Sequence, residues 1–189
     1  MPAAGRGGTI GEVEIRPARI GDAPQIGLVH VRSWQGAYRG LLPQGYLDGL
    51  DPGQRAAGWE RILAGAGPRS GVVVAGGDGS LLGFAAFGPA RDEDQDPGQT
   101  GEVMSIYVHP DAWGQGWGRQ LMAATVTGLA DAGFGRAVLW VLDSNQRARR
   151  FYRAAGWSPD GAAKPDTIGG AEVTEVRYRR SLPYRRSLP

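Results

Sequence analysis

The stretch that decides the fold reads Ile106-Tyr107-Val108-His109-Pro110-Asp111-Ala112-Trp113-Gly114-Gln115-Gly116-Trp117-Gly118-Arg119-Gln120-Leu121-Met122. A strand predicted over 102–108 stops at Pro110, which cannot continue a ladder. Three glycines at alternate positions follow, and glycine permits positive φ and close approach to the backbone. Leu121, Met122, Val126 and Leu129 then recur at helical spacing. The first amides of a helix have no internal acceptor, and the helix dipole adds partial positive charge there. The segment is therefore predicted to cradle a phosphate or pyrophosphate on the amides from Gln115 to Arg119. A glycine turn without a ligand is the alternative that the bare pattern leaves open. The P-loop needs a Lys followed by Ser or Thr, and none lies near. The dinucleotide fingerprint needs G-x-G-x-x-G after the first strand, whereas G-x-G-x-G follows a fourth or fifth strand here.

Outward from this segment, Val13 to Arg16 alternate as a first strand, stopped by Pro17. Asp22 caps a helix carrying Ile26, Val29 and His30 towards Trp34 and Tyr38, and Gly40 and Pro43 break it. A second helix is predicted over 54–63. Strands over 72–75 and 81–87 flank the turn Gly76-Gly77-Asp78-Gly79. Ala137 to Leu142 is a continuous apolar run, hence a buried strand. Ser144 or Asn145 caps a helix with Ala148, Phe151, Tyr152 and Ala155 on one face, closed by Gly156. Val173 to Tyr178 alternate as a last strand. This order predicts one α/β (α+β) domain around a mixed sheet over residues 13–180. A flexible segment, 1–12, precedes it and a basic tail, 181–189, follows.

The 189 residues, 41% of them hydrophobic, suffice for one cored domain. With no Cys, disulfides, thiol nucleophiles and thiolate metal sites are excluded, and two His make a His-rich metal site an unlikely design. No metal is expected. No apolar run has the length of a membrane span, and Met1 to Gly11 lack an apolar segment, so a cytoplasmic protein without membrane partners is expected. The net charge is +2; Lys164 is the one Lys among 21 basic residues. Arg177, Arg179, Arg180, Arg185 and Arg186 crowd the end, a pattern open to nucleic acid. However, residues 178–183 and 184–189 repeat the same hexapeptide, Tyr-Arg-Arg-Ser-Leu-Pro. Without the second copy the net charge falls to zero, so nucleic acid is not the expected partner.

A second motif reads Asn145-Gln146-Arg147-Ala148-Arg149-Arg150-Phe151-Tyr152-Arg153-Ala154-Ala155-Gly156-Trp157. It is similar to the Asn-x-x-Ala-x-x-Phe-Tyr-x-x-x-Gly-Phe stretch of the GCN5-related N-acetyltransferase (GNAT) family. Trp113 to Gly118 resemble that family's Arg/Gln-x-x-Gly-x-Gly/Ala loop, with Trp113 where Arg or Gln is usual. The resemblance spans residues 13–180. It implies a mixed sheet of six to seven strands flanked by about four helices, with the fourth and fifth strands splayed. It also implies acetyl-CoA as co-substrate, lying between strands 102–108 and 137–142. Ile106, Tyr107 and Val108 would meet the pantetheine and acetyl portions. Gly114, Gln115, Gly116, Trp117, Gly118 and Arg119 would hold the pyrophosphate, with Asn145 reaching in from the next helix.

The implied reaction is direct attack of a substrate amine on the thioester. The amine must lose a proton, the oxyanion needs a donor such as a strand amide near Val108, and the thiolate needs a proton. Tyr152 matches the family's Tyr whose hydroxyl faces the sulfur; a helix-face core aromatic is its structural alternative. Glu102 has the parity of Met104, Ile106 and Val108, so it is expected on the same side as a base, acting directly or through water. Its alternative is a solvated carboxylate. Trp34 and Tyr38 share a helix face and would wall the acceptor site, or pack in the core. His30 reads as core or interface, His109 as a turn residue, and Asp143 and Asp92 to Asp96 as solvated charges, the last group also suited to recruiting a cationic amine. The acceptor is a small-molecule or peptide amine of open identity. A CoA-binding regulatory module without catalysis is the second reading. The terminal strand raises the expectation of a homodimer.

Overall fold

The computed structural model describes residues 13–77 and 80–183. The expected flexible segment 1–12, the turn residues Asp78 and Gly79, and the second hexapeptide copy at 184–189 lie outside them. Within the described residues, seven strands form one sheet: β1 (Glu14–Pro17), β2 (Gly71–Gly77), β3 (Ser80–Pro89), β4 (Thr100–Val108), β5 (Arg136–Leu142), β6 (Ser158–Ile168) and β7 (Ala171–Ser181). Their order is β1-β2-β3-β4-β5-β7-β6. All neighbours run antiparallel except β4 and β5, which are parallel. Among the described residues, five α-helices accompany them: α1 (Ala23–Ala37), α2 (Gln44–Asp48), α3 (Pro52–Ala64), α4 (Trp117–Asp131) and α5 (Gln146–Ala154).

The two faces carry different cores. On one, Met122, Val126 and Leu129 of α4 and Tyr152 of α5 pack on Phe87, Val103, Leu139 and Tyr178. On the other, Ile26 and Val29 of α1 and Trp59 of α3 pack on Val72, Val74 and Phe84. A third cluster gathers Leu42, Leu47 and Leu142 with Trp34, Tyr38, Tyr46 and Val173, where α1 and α2 meet the β7 end of the sheet.

Three elements depart from the sequence expectation, the first being the short helix α2, which was not predicted. The strand β6 went unpredicted because Pro159, Gly161 and Pro165 interrupt it. It is tolerated because β6 is an edge strand, bonded on one side by β7 alone. The sheet also reaches past residue 180: β7 runs to Ser181, Leu182 is buried, and its amide donates to the Gly135 carbonyl. The first hexapeptide copy is therefore structural, with Tyr178 fully buried in the core.

The bulge in β4 positions the site. Ala86 lies opposite Ser105 and Phe87 opposite Val103, so Met104 is an extra residue with no partner on β3. One extra residue reverses the facing of everything before it. Val103 thus joins Ile106 on the α4 side. Glu102 is turned to the opposite face, which corrects the parity expected for it: it does not share a side with Ile106 and Val108.

Candidate active site

Between β4 and β5 the ladder holds at Thr100–Arg136, Gly101–Ala137 and Glu102–Val138, and then stops. Beyond it the strands part. On its other edge β4 stays bonded to β3, and the His109 amide donates to the Leu82 carbonyl at 2.7 Å. Amide direction alternates along a strand, so Tyr107 points its backbone to β3 as well. The N–H and C=O of Ile106 and Val108 consequently face the gap. Tyr107 contributes its side chain instead, stacked on His30 with ring centroids 5.0 Å apart.

The gap opens into a cleft of about 390 Å³. Its walls include Ile106, Tyr107 and Val108 of β4, the turn from Trp113 to Arg119, and Asn145, Phe151 and Tyr152 at α5. Small residues of α1, Ser33 and Ala37, complete it; neither was anticipated from sequence. Gly114 (φ 78°) and Gly116 (φ 91°) both lie in the left-handed region, as the glycine pattern demanded. Gly116 is the N-cap of α4. Among the described residues, the amides of Gln115, Gly116, Trp117 and Gly118 meet no backbone or side-chain acceptor, whereas the Arg119 amide donates to the Gly116 carbonyl at 3.1 Å. The predicted cradle is thus one amide shorter than expected, and Arg119 contributes its side chain to the cleft wall.

Trp113, where an Arg or Gln was usual, fastens the loop rather than lining it with charge. Its indole N–H donates to the Val108 carbonyl at 2.8 Å, and the Arg147 guanidinium lies 3.6 Å from its ring centroid. Arg147 thereby brings to the cleft mouth a cation that the Trp took away. Asn145 caps α5 by accepting the Ala148 amide at 3.0 Å, which leaves its NH2 for a ligand. The Tyr152 hydroxyl makes no hydrogen bond within the described residues, and burial raises its pKa above the ordinary phenol value. It therefore keeps its proton in the neutral range.

On the opposite face, Glu102 is buried and clamped by Arg91: Nε donates at 3.0 Å, Nη2 at 2.5 Å and the backbone amide at 3.2 Å. Asp92 and Asp94 are not free loop charges, contrary to expectation. Arg177, 5% exposed, binds Asp92, Asp94 and Asp160, and the Trp140 indole donates to Asp92. Arg177 is thereby withdrawn from the expected basic patch, as is Arg180, which donates to the Ala155 carbonyl. Asp143 is paired with Arg149. Trp34 and Tyr38 pack edge to face, centroids 5.0 Å apart, in the cluster beside Tyr46. His30 is a core residue, as one of its two readings had it. Its Nδ1 accepts the Trp59 indole N–H at 3.0 Å, and burial pushes its pKa down to about 4. His109 holds the turn after β4, with Nδ1 accepting from the Asp111 amide. No group of three or more His, Asp or Glu suited to a metal occurs among the described residues, and no described helix is long and apolar enough to cross a membrane.

A sheet parted between two parallel strands, with a bare helix N-terminus at the gap, leaves backbone donors and acceptors open to an extended anionic ligand. Comparison with known proteins gives the family. The model of the Acetyltransferase (GNAT) family matches residues 34–157. The chain is 35% identical over 167 residues to the uncharacterized N-acetyltransferase YuaI of Bacillus subtilis, covering 87% of this chain and 90% of that protein. It is 32% identical to an uncharacterized N-acetyltransferase of Archaeoglobus fulgidus, covering 74% and 89%. In fold it is similar to the PaiA N-acetyltransferase of Thermoplasma acidophilum solved with coenzyme A (TM-score 0.68, 18% identity, 90% of this chain and 99% of that one). It is also similar to YncA, a putative acetyltransferase of Salmonella typhimurium solved with acetyl-CoA (TM-score 0.69, 23% identity, 94% and 98%). This chain belongs to the GNAT family and is an acetyl-CoA-dependent N-acetyltransferase.

Proposed function

We propose that the cleft holds acetyl-CoA along β4 and that the acceptor amine approaches from the α1–α2 face of the sheet. The observation that carries this is the set of four unpaired amides, Gln115 to Gly118, at the bare end of α4. They receive the pyrophosphate, with the Arg119 and Arg147 side chains beside them. The gap-facing N–H groups of Ile106 and Val108 and the Ile106 C=O pair with the pantetheine amides as a further strand would, the Val108 C=O being held by the Trp113 indole.

The amine nitrogen attacks the thioester carbonyl and forms the N–C bond. A gap-facing amide of β4 near Val108 donates to the oxyanion, and collapse expels the thiolate. Tyr152 gives that thiolate its proton. Glu102, turned by the bulge onto the acceptor face, takes the amine's proton directly or through water once the exposed Arg91 side chain (67%) swings aside. Trp34 and Tyr38 wall the acceptor side. The silent-module reading is not favoured, since Tyr152 stands in the cleft with an unengaged hydroxyl.

The test is free-thiol release from acetyl-CoA across a panel of primary amines. Release that depends on both amine and Tyr152 supports the reading; CoA binding without release from any amine removes it. A cytoplasmic location and a homodimer are part of the same proposal, the second checked by light scattering.

A further inference from the structure

We propose that the Trp140 ring and the Glu175 carboxylate form the acceptor's ammonium subsite, and that Lys164 occupies it from within the chain until an acceptor displaces it. This rests on the acetyltransferase reading above. Leu142, Glu175 and Lys164 lie in one cross-strand row over β5, β7 and β6, so their side chains share a face. That face is the acceptor face, because Leu142 and the neighbouring Val173 pack with Trp34, Tyr38 and Tyr46. The pKa values of the Tyr38 and Tyr107 phenols on this face are pushed up chiefly by burial, with the Glu175 carboxylate adding a small through-space contribution.

The carboxylates here differ in what neutralises them. Arg91 clamps Glu102 with two guanidinium nitrogens, and Arg177 binds Asp92, Asp94 and Asp160. Among the described residues, Glu175 makes an ion pair with the Lys164 ammonium alone, at 3.5 Å, and that side chain is 45% exposed. A substrate cation replaces a single exposed ammonium more readily than the two-nitrogen Arg91 clamp on Glu102 or the buried Arg177. The same ammonium lies 4.1 Å from the Trp140 ring centroid. An aromatic face beside a carboxylate is a recognition pattern for ammonium groups. Asp92 fixes the ring by accepting its N–H at 3.0 Å, so the face is preorganised. The Arg177 guanidinium, 5.5 Å from the same ring, is already neutralised by its three aspartates. The chain's one lysine thus places a primary ammonium where the acceptor's would go. The inferred acceptor class is a primary alkyl ammonium with an apolar stem lying on Trp140.

The probe is Nα-acetyl-lysine amide, whose side chain reproduces that of Lys164; Nα-acetyl-norleucine amide, lacking the amine, is its control. The proposal expects Lys164→Met to lower the KM for the lysine probe about ten-fold. It expects Glu175→Gln to raise that KM at least ten-fold, with the KM for acetyl-CoA unmoved in both variants and no binding of the control. An unchanged or raised KM in Lys164→Met, or an unchanged KM in Glu175→Gln, overturns it. Calorimetric binding of the probe to the CoA-loaded protein should rank the three proteins in the same order. That ranking without any turnover would uphold the subsite while removing the catalytic reading; turnover without the ranking would remove the subsite alone.

Discussion

The Trp113 indole N–H donates to the Val108 carbonyl, 2.8 Å away, and so ties the glycine turn before α4 to the last residue of β4. The pair fixes the distance between the two halves of the cleft. Trp113→Phe keeps a ring under Arg147 but loses the donor. The expected loss is about 1 kcal/mol of stability, read by urea denaturation, and a several-fold weaker Kd for CoA, read by calorimetry.

Tyr152→Phe should lower kcat about 100-fold, within the usual range for a general acid, while the Kd for CoA stays within two-fold. Burial raises the phenol's pKa, so it keeps its proton throughout the neutral range. The wild-type kcat should therefore show no decline attributable to this group below its ordinary value of about 10. Equal turnover in the variant would take Tyr152 out of the acid role.

Glu102→Gln should reduce kcat/KM by about 10- to 100-fold at neutral pH. The deficit should shrink as pH rises, because an amine that is already neutral needs no base. A deficit that is constant with pH would make Glu102 only the structural partner of Arg91.

His30 gives a stability prediction. Its pKa is depressed to about 4 from 6.5, because burial disfavours the charged ring and Arg55 adds to this. Protonation would also break the Trp59–His30 bond, since Nδ1 is the acceptor. Below about pH 6.5 the unfolded chain binds a proton that the native chain refuses, so stability is full above that value and falls as pH drops towards 4. The limiting loss is about 3 kcal/mol. Thermal midpoints across this window should slope downwards on acidification, and His30→Phe should flatten the slope.

The glycine loop, the helix it opens and the helix face that carries Tyr152 were legible in sequence because each depends on local chemistry: positive φ, unpaired amides and helical spacing. Glu102 was misread for the opposite reason. Its facing depends on one unpaired residue, Met104, and a bulge leaves no composition signal. The strand β6 was hidden by prolines that only an edge position excuses. Arg177 looked like part of a basic tail, and only the folded sheet brings Asp92, Asp94 and Asp160 to it from 17 to 85 residues away. Long-range ion pairs of this kind have no local spacing from which to infer them.

The direct test of the amide cradle is an NMR titration of backbone amides with CoA, repeated with pantetheine, which lacks the diphosphate. CoA should shift Gln115, Gly116, Trp117 and Gly118 most, and pantetheine should leave those four in place while moving Ile106 and Val108. Bound CoA that leaves the four amides unmoved would contradict the account.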